Sequence, residues 1–246
     1  MLKYWTVRQT RGDQPALVIE GELKNTSELF RVYPRFREKN RIIIDPKSFL
    51  ELPRIKEFSR ASIKLQFTPL EEIQVESLYW APDADVLCGE YFLNNVGNKV
   101  RRITLDLVFQ LQLSTGSGLS HLEHEGKNLL YGQSKNQHTI CFVSGGPAPD
   151  TGSLPCLSSN LTLKPGARTK LRWINIQSIS KEVGMEKLKK VILFSWKDEL
   201  SRENITHQDH LTISTGNADW DLALEYSQCQ AENYLTGLET KSPGSN

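Results

Sequence analysis

The residues best suited to chemistry in this 246-residue chain are carboxylates that lie close together in the sequence. Hydrolysis of a glycosidic bond needs two carboxyl groups about 5 to 10 Å apart, one on each side of the bond. Adjacent acids in turns are usually solvated, so we expect the three near-neighbour pairs to be surface groups and assign no catalytic residue. These pairs are Glu71 with Glu72, Asp83 with Asp85, and Glu123 with Glu125.

Two short histidine clusters offer metal ligands. His121 and His124 lie close to two glutamates, and His207 and His210 flank an aspartate. Zinc binds histidine and carboxylate side chains, but the helical metalloprotease motif is H-E-x-x-H, which neither cluster matches. Glycines on both sides of His121 and His124 predict a loop there. We therefore predict no metal and no cofactor, and the chain also lacks the glycine-rich loops that bind nucleotides.

Aromatic side chains are the remaining candidates, because the flat apolar face of a ring can stack on a sugar. Tyr79 and Trp80 end a predicted strand just before a turn, where such a platform can form. We predict carbohydrate contacts at Tyr79, Trp80 and Trp220. For the first two, the alternative is that one ring packs in the core and the other makes an edge contact.

The element that must position these groups is the stretch from Ile103 to Leu113, I-T-L-D-L-V-F-Q-L-Q-L. Its apolar residues fall on one parity and its polar residues on the other, with Val108 as the apolar exception. Successive side chains of a strand point to opposite faces, so the stretch predicts a long strand with one dry and one wet face. Such a strand needs a broad partner surface, and we expect a large antiparallel sheet packed face to face on another.

Shorter runs with the same period surround this strand, and about a dozen strands are predicted in all. The segment from Ser48 to Arg60 is ambiguous, with a helical turn broken at Pro53, and residues 144–159 are expected to form a long surface loop. From Ser180 onward the apolar spacing becomes helical. The last such segment, Asp219 to Leu235, predicts an amphipathic helix.

Composition narrows the classes of partner. The formal net charge is +1, which argues against a nucleic-acid or membrane-surface footprint. No apolar run approaches the roughly 20 residues of a membrane span. The start lacks the apolar core of a signal peptide, and the four cysteines are far apart. We therefore expect a cytoplasmic protein with buried, inert thiols.

Three elements, taken together, resemble a known family. They are the strand pair Val86 to Leu113 with its Y-F-L-N-N-V-G loop, the hairpin L-T-L-K-P-G-A-R-T-K-L-R-W, and the ending S-T-G-N-A-D-W-D-L-A-L-E-Y-S-Q-C-Q. In this order they resemble the N-terminal β-super-sandwich domain, with its helical linker, of bacterial glycogen-debranching and glucoamylase-like (α/α)6 glycoside hydrolases. The resemblance covers nearly the whole chain. It implies a mainly β fold: a large antiparallel two-sheet super-sandwich followed by a short α-helical C-terminal segment.

The resemblance also implies a division of the chain. Residues 1–178 would form the super-sandwich, 179–238 the helical linker and a first toroid-like helix, and 239–246 a flexible tail. In that family the catalytic acid and base lie in the toroid, so no residue here inherits those roles. The implied function is a non-catalytic module of a carbohydrate-active enzyme, lacking most of the catalytic toroid. Its expected partners are an oligosaccharide, or a helical toroid that docks on Trp220, Leu224, Tyr234 and Leu235.

Two alternatives come from other classes of protein. One is a free-standing β-sandwich that binds a glycan or a protein partner. The other is a mutarotase-like sugar epimerase, which would act through a histidine and an acid on a concave sheet. The sequence disfavours the epimerase, because His121, His124 and His138 are predicted in loops or at strand starts rather than in the middle of strands.

Overall fold

A computed structural model describes most of the chain. The described residues are 6–9, 16–22, 29–59, 62–112, 117–134, 137–205, 215–217, 220–221, 223–228 and 231. His207, His210, Cys229, Tyr234 and Leu235 lie outside this set.

Two antiparallel sheets dominate the described part of the fold, as predicted. The first has seven strands in the order β1-β2-β3-β9-β14-β13, with β4 paired to the far end of β3. Its strands are Thr6–Gln9 (β1), Leu17–Glu22 (β2), Leu29–Glu38 (β3), Arg41–Ile43 (β4), Arg101–Gln112 (β9), Ala148–Asp150 (β13) and Cys156–Leu163 (β14).

The second sheet has eight strands in the order β10-β11-β12-β15-β8-β7-β6-β5. Its strands are Glu51–Phe58 (β5), Ser62–Leu70 (β6), Ile73–Asp83 (β7), Val86–Asn95 (β8), Ser117–His124 (β10), Lys127–Ser134 (β11), Gln137–Val143 (β12) and Arg168–Ser178 (β15). A mainly β protein built of two antiparallel sheets is therefore confirmed.

The main core lies between the two sheets. The predicted dry parity of β9 points into it, and Ile103, Leu105, Leu107 and Phe109 are all buried. Phe109 meets Trp173 of the opposite sheet edge to face, with ring centroids 6.5 Å apart. Fully burying one such side chain is worth about 1.5–3 kcal/mol, so this layer holds the sheets together.

The other parity of β9 is wet only in part: Arg102 is exposed and Thr104 and Gln110 are half-buried, but Asp106, predicted on the wet face, is buried. Asp106 and Val108 are both 0% exposed. Val108 packs in a small outer cluster with Val18, Tyr33 and Cys156. Arginines from β3 cover Asp106, so this outward face is closed by side chains of neighbouring strands.

Two helices follow the last strand and cover part of the eight-stranded sheet. They are Lys181–Leu193 (α1) and Trp196–Ile205 (α2). Ser180 caps α1 by accepting a hydrogen bond from the Val183 N–H at 3.2 Å. Met185, Leu188 and Val191 form an apolar stripe that is buried against the sheet, as the helical spacing from Ser180 predicts. Residues 220–221, 223–228 and 231 are also helical.

Gly184 lets α1 approach the sheet closely. A Cβ built there would lie 2.6 Å from Ser178 Oγ and 2.7 Å from Ile140 Cδ1, both closer than real Cβ contacts. A residue with a side chain at this position would force the side chains of Ser178 and Ile140 to shift.

Three local predictions are wrong. The segment around Pro53 is strand β5, an edge strand, where proline is tolerated. The region around His121 and His124 is strand β10 rather than a loop. The expected long loop after Val143 contains the short strand β13, which pairs with β14.

The described cysteines agree with the expectation of buried thiols. Cys88, Cys141 and Cys156 are buried free thiols. Burial raises the pKa of the Cys141 thiol, which suits an inert group. Across the described ranges, every helix is too short or too polar for a transmembrane span.

Candidate functional site

Three of the six near-neighbour carboxylates, Asp83, Asp85 and Glu125, make ion pairs with α1, whereas Glu72 lies 3.5 Å from Arg101. Lys187 of α1 lies 3.1 Å from Asp83 and 3.5 Å from Asp85, at the turn between β7 and β8. Lys189 donates to Glu125 at 2.6 Å, and this hydrogen bond lowers the pKa of that exposed carboxyl. These contacts give the acids a structural role.

The three described histidines, His121, His124 and His138, lie on strands. His121 Nε2 is 2.9 Å from Asn128 Oδ1, and His138 Nδ1 is 2.6 Å from the Tyr131 hydroxyl. Among the described residues, no three or more histidine, cysteine or acidic side chains are grouped as metal ligands.

Tyr79 and Trp80, predicted as sugar contacts, lie in the core. Their exposed fractions are 0% and 1%. Tyr79 donates to the Tyr91 hydroxyl at 3.1 Å, and burial raises its pKa to about 12. Trp80 points to the outer side of the sheet but meets Trp196 edge to face at 5.9 Å. Both rings are covered by other side chains, so the alternative of core packing describes both, and no finding supports a sugar contact there.

Trp220 differs from these two residues. It is 65% exposed, and Leu224, on the same helical segment, is half-buried. A contact of Trp220 with a sugar or a helical partner stays a prediction. The other two residues of the predicted docking stripe lie outside the described residues.

A groove lies on the outer face of the eight-stranded sheet, beside α2. Its volume is about 450 Å³. We call it the sheet–helix groove. Outward side chains of β6, β7, β8 and β15 line its floor, and the start of α2 forms its wall. The lining residues are Glu57, Ser62, Lys64, Glu76, Ser77, Leu78, Glu90, Phe92, Arg168, Lys170, Arg172, Trp196, Lys197 and Leu200.

Strand pairing brings the charged residues of the floor together. Glu90 lies opposite Arg172, and Phe92 opposite Lys170, across the pairing of β8 with β15. Glu90 is 6% exposed and accepts from Arg172 Nε at 2.6 Å, with Lys170 Nζ at 3.5 Å. A carboxylate this buried needs such partners, because an unpaired buried charge is costly.

Cations also surround the aromatic floor of the groove. The Arg168 guanidinium lies 4.7 Å from the Phe92 ring centroid, and Lys170 Nζ lies 5.8 Å from it. Arg172 lies 4.7 Å from the Trp196 ring. Cations over ring faces are attracted by the π-electrons, so the arginines are fixed by rings as well as by acids.

The acidic groups of the groove are paired with basic side chains. The carboxylates among its described lining residues, Glu57, Glu76 and Glu90, each contact a basic side chain, with the closest pairs between 2.6 and 2.9 Å. That described lining contains no histidine or cysteine. What it offers a ligand is one half-buried ring and many charge-assisted hydrogen-bond donors.

Sequence reasoning missed this groove, although one signal was present. Arg168, Lys170 and Arg172 alternate in A-R-T-K-L-R-W and so share one face of a strand. Their acidic and aromatic partners come from β7, β8 and α2, and no spacing within the chain predicts that these residues contact one another.

A second polar cluster lies on the outer face of the seven-stranded sheet. Asp106 accepts from Arg35 Nε at 2.7 Å, and from Arg37 Nε and Nη2 at 2.6 and 2.7 Å. Burial alone would raise the pKa of this carboxyl, but hydrogen bonds from Arg37, Ser158 and Arg35 outweigh it and leave the pKa below its usual value.

Comparison with known proteins supports the fold and not an activity. No family model and no curated protein matches the chain. A solved structure named as a kojibiose phosphorylase from the human microbiome superposes with a TM-score of 0.52 at 10% identity, over 82% of this chain. This chain spans 30% of that protein. At such identity the likeness shows a shared fold alone.

Two further structures superpose less well. One is named as a polysaccharide lyase, with a TM-score of 0.45 and 12% identity, over 75% of this chain and 34% of the other. The other is named as an aldose 1-epimerase from Escherichia coli K12, with a TM-score of 0.40 and 12% identity, over 61% of this chain and 84% of that one. Superpositions this loose support no conclusion about function.

Proposed function

We propose that this chain serves as a non-catalytic β-sandwich module of a carbohydrate-active enzyme of the glycogen-debranching or glucoamylase-like kind. The catalytic acid and base would belong to a helical toroid rather than to the sandwich. The supporting observation is the fold likeness, over 82% of this chain, to a minor part of a protein named as a kojibiose phosphorylase.

The placement of the acids agrees with a non-catalytic role. Asp83 and Asp85 share Lys187, and Glu125 is engaged by Lys189. In the sheet–helix groove the buried Glu90 is held by Arg172. A glycosidase needs one carboxyl free to give a proton and another free to attack or to activate water, and these ion-paired groups suit neither task.

Apolar side chains on the helices offer a place for a helical partner. Val183, Leu193 and Phe194 of the α1 region are 48%, 84% and 40% exposed, and Trp220 is 65% exposed. Exposed apolar side chains of this kind suit burial against further helices. Docking of a toroid on these residues, including Trp220 and Leu224, is part of the proposal.

Two experiments test the module. The purified chain is incubated with maltoheptaose, glycogen and kojibiose, with and without inorganic phosphate, and no sugar release above buffer is expected. Turnover by the chain alone contradicts the proposal. Interconversion of glucose anomers, followed by NMR, would favour an epimerase instead.

The second experiment looks for the partner. The DNA that follows this coding sequence, in frame or as the next gene, is expected to encode a helical toroid. Co-expression of the two should give a complex that Trp220→Ser weakens and Lys164→Ala, a change in the exposed turn between β14 and β15, leaves intact. If no toroid is encoded nearby, the module proposal fails and the free-standing alternative stands.

A free-standing glycan-binding protein is the second candidate, and the sheet–helix groove is the observation that favours it. Its Phe92 floor, ringed by Arg168 and Lys170, combines an apolar face with polar donors. Titration calorimetry with maltoheptaose should then show binding that Phe92→Ala weakens about tenfold. Trp220→Ala, outside the groove, should leave that affinity unchanged, and equal losses in both variants would contradict a site in the groove.

A further inference from the structure

A basic pocket lies on the outer face of the seven-stranded sheet, beyond the Asp106 cluster. Its volume is about 270 Å³. We call it the basic pocket. The residues that line it are Arg37, Lys39, Arg102, Ile103, Thr104, Asn160, Leu161 and Thr162.

Strand register arranges these side chains as two rows across three strands. Arg37 of β3 lies opposite Thr104 of β9, which lies opposite Asn160 of β14. In the next outward row, Arg102 lies opposite Thr162, and Lys39 follows two residues after Arg37. Residues two apart on a strand share a face, so the five strand residues belong to the same surface, and Lys39 lines the pocket from the turn after β3.

The charges in the basic pocket are of one sign. Arg37, Lys39 and Arg102 are cationic, and no carboxylate appears among the described residues that line it. Asp106, which accepts from Arg37, is 0% exposed and lies under the arginines rather than in the pocket. Glu38 acts on Lys39 by charge, but its carboxylate is paired with Arg101 at 2.7 Å. Asp150 also acts on Arg37, but by charge alone and without a hydrogen bond.

The pocket is partly preorganised. Two hydrogen bonds to Asp106 fix the Arg37 guanidinium, while 41% of that side chain remains exposed. Thr104 donates to Asn160 Oδ1 at 2.8 Å, which leaves the Asn160 amide hydrogens turned away from Thr104 and available as donors. A guanidinium held in place loses less conformational freedom when an anion arrives.

We propose that the basic pocket binds a tetrahedral oxyanion, a phosphate or sulfate group. Cationic side chains with hydroxyl and amide donors, and no competing carboxylate in the described lining, match the negative charge and the acceptor oxygens of that group. The site is on the opposite sheet from the sheet–helix groove, so the inference stands independently of the proposed function. The group can come as the free inorganic anion or as an ester on a sugar.

The test uses the full chain at constant ionic strength. Inorganic phosphate is titrated by calorimetry at pH 7, with chloride as the balancing salt. The wild-type chain should bind, and Arg102→Ala combined with Lys39→Gly should weaken binding at least about tenfold, because charge-assisted hydrogen bonds are lost. Glycine is chosen at position 39 because Lys39 has a φ of 52°, which glycine adopts easily.

Lys127→Ala serves as the matched control, because Lys127 is exposed and lies on the other sheet. It should bind phosphate like the wild type, and far-ultraviolet circular dichroism verifies that each variant is folded. Glucose 6-phosphate binding more tightly than inorganic phosphate, with glucose not binding, identifies a sugar ester as the source. Wild-type heat no greater than that of chloride, or an equal affinity in the double variant, overturns the proposal.

Discussion

The outer faces of the two sheets are closed in different ways. α1 and Trp196 cover part of the eight-stranded sheet and exclude water from it. The outward residues beneath them are apolar, among them Trp80, Ile174 and Ile176. On the seven-stranded sheet, no helix of the described chain covers the outward Asp106, and arginines close over it instead. The comparison shows that an outward-facing residue need not be exposed to solvent, because either a helix or a pair of guanidinium groups can exclude water from it.

The same comparison applies to the two buried carboxylates. Asp106 has a side chain that is 0% exposed, and its arginine partners are 14% and 41% exposed. Glu90 is 8% exposed at its side chain, with Arg172 and Lys170 at 32% and 44%. The Asp106 cluster is therefore the drier of the two and should depend more strongly on its charges.

Removing the side chain by which α2 covers the sheet should cause the largest loss of stability. Trp196 is 2% exposed and packs on Trp80, so Trp196→Ala should lower the free energy of unfolding by about 3 to 5 kcal/mol. Urea denaturation followed by circular dichroism measures the change. Leu193→Ala, at a site 84% exposed, is the control, and equal losses in both variants would show that α2 does not seal the sheet.

Neutralising each buried carboxylate should lower the free energy of unfolding by a different amount on the two sheets. Asp106→Asn leaves Arg35 and Arg37 facing an uncharged amide and should cost about 2 to 4 kcal/mol. Glu90→Gln should cost about 1 kcal/mol, since its partners reach solvent. The same denaturation experiment compares them, and a larger loss at Glu90 would mean that the Glu90 cluster, and not the Asp106 cluster, is the drier one.

The pH dependence of stability tests the charge of Asp106 directly. The pKa of Asp106 is lowered in the folded protein, so below the ordinary aspartate value of about 3.9 the unfolded chain binds more protons there than the folded one. The stability that Asp106 contributes is therefore present above that pH and is lost as the pH falls through the folded pKa. The difference in stability between the wild type and Asp106→Asn should shrink across that range. A difference that stays constant with pH would contradict the lowered pKa.

The smallest change in stability is expected for a substitution at Trp220. Because 65% of this residue is exposed, Trp220→Ala should change the stability of the isolated chain by less than about 0.5 kcal/mol. Thermal unfolding monitored by fluorescence checks it. A loss comparable to that of Trp196→Ala would mean that Trp220 is packed in solution, which would remove it from the proposed docking residues.

The alternation of apolar residues predicted the two sheets, because the strands of the main core each bury one parity. It could not predict the state of the other parity. Asp106 is buried by arginines about 70 positions away in the chain, and Trp80 by a tryptophan more than 100 positions away. A window of a few residues contains neither contact.

The candidate sites show the same limit. The sheet–helix groove and the basic pocket are assembled by register between strands that are distant in sequence, such as β3 with β9 and β8 with β15. Local spacing shows which residues of one strand share a face, for example the alternating Arg168, Lys170 and Arg172, but not the partners that they meet on other strands. The nearby turn suggested exposed rings at Tyr79 and Trp80, but the core between the sheets buries Tyr79 and α2 covers Trp80.

Strand β5 forms one margin of the eight-stranded sheet, and its pairing with β6 is irregular at two points. It carries Pro53, and charged side chains surround the exposed Leu52 and Ile55. A proline cannot donate to an added strand, and a distorted, charged margin resists alignment with a second molecule. This margin therefore protects the protein from growing into fibrils by sheet extension, even where two aliphatic side chains face the solvent.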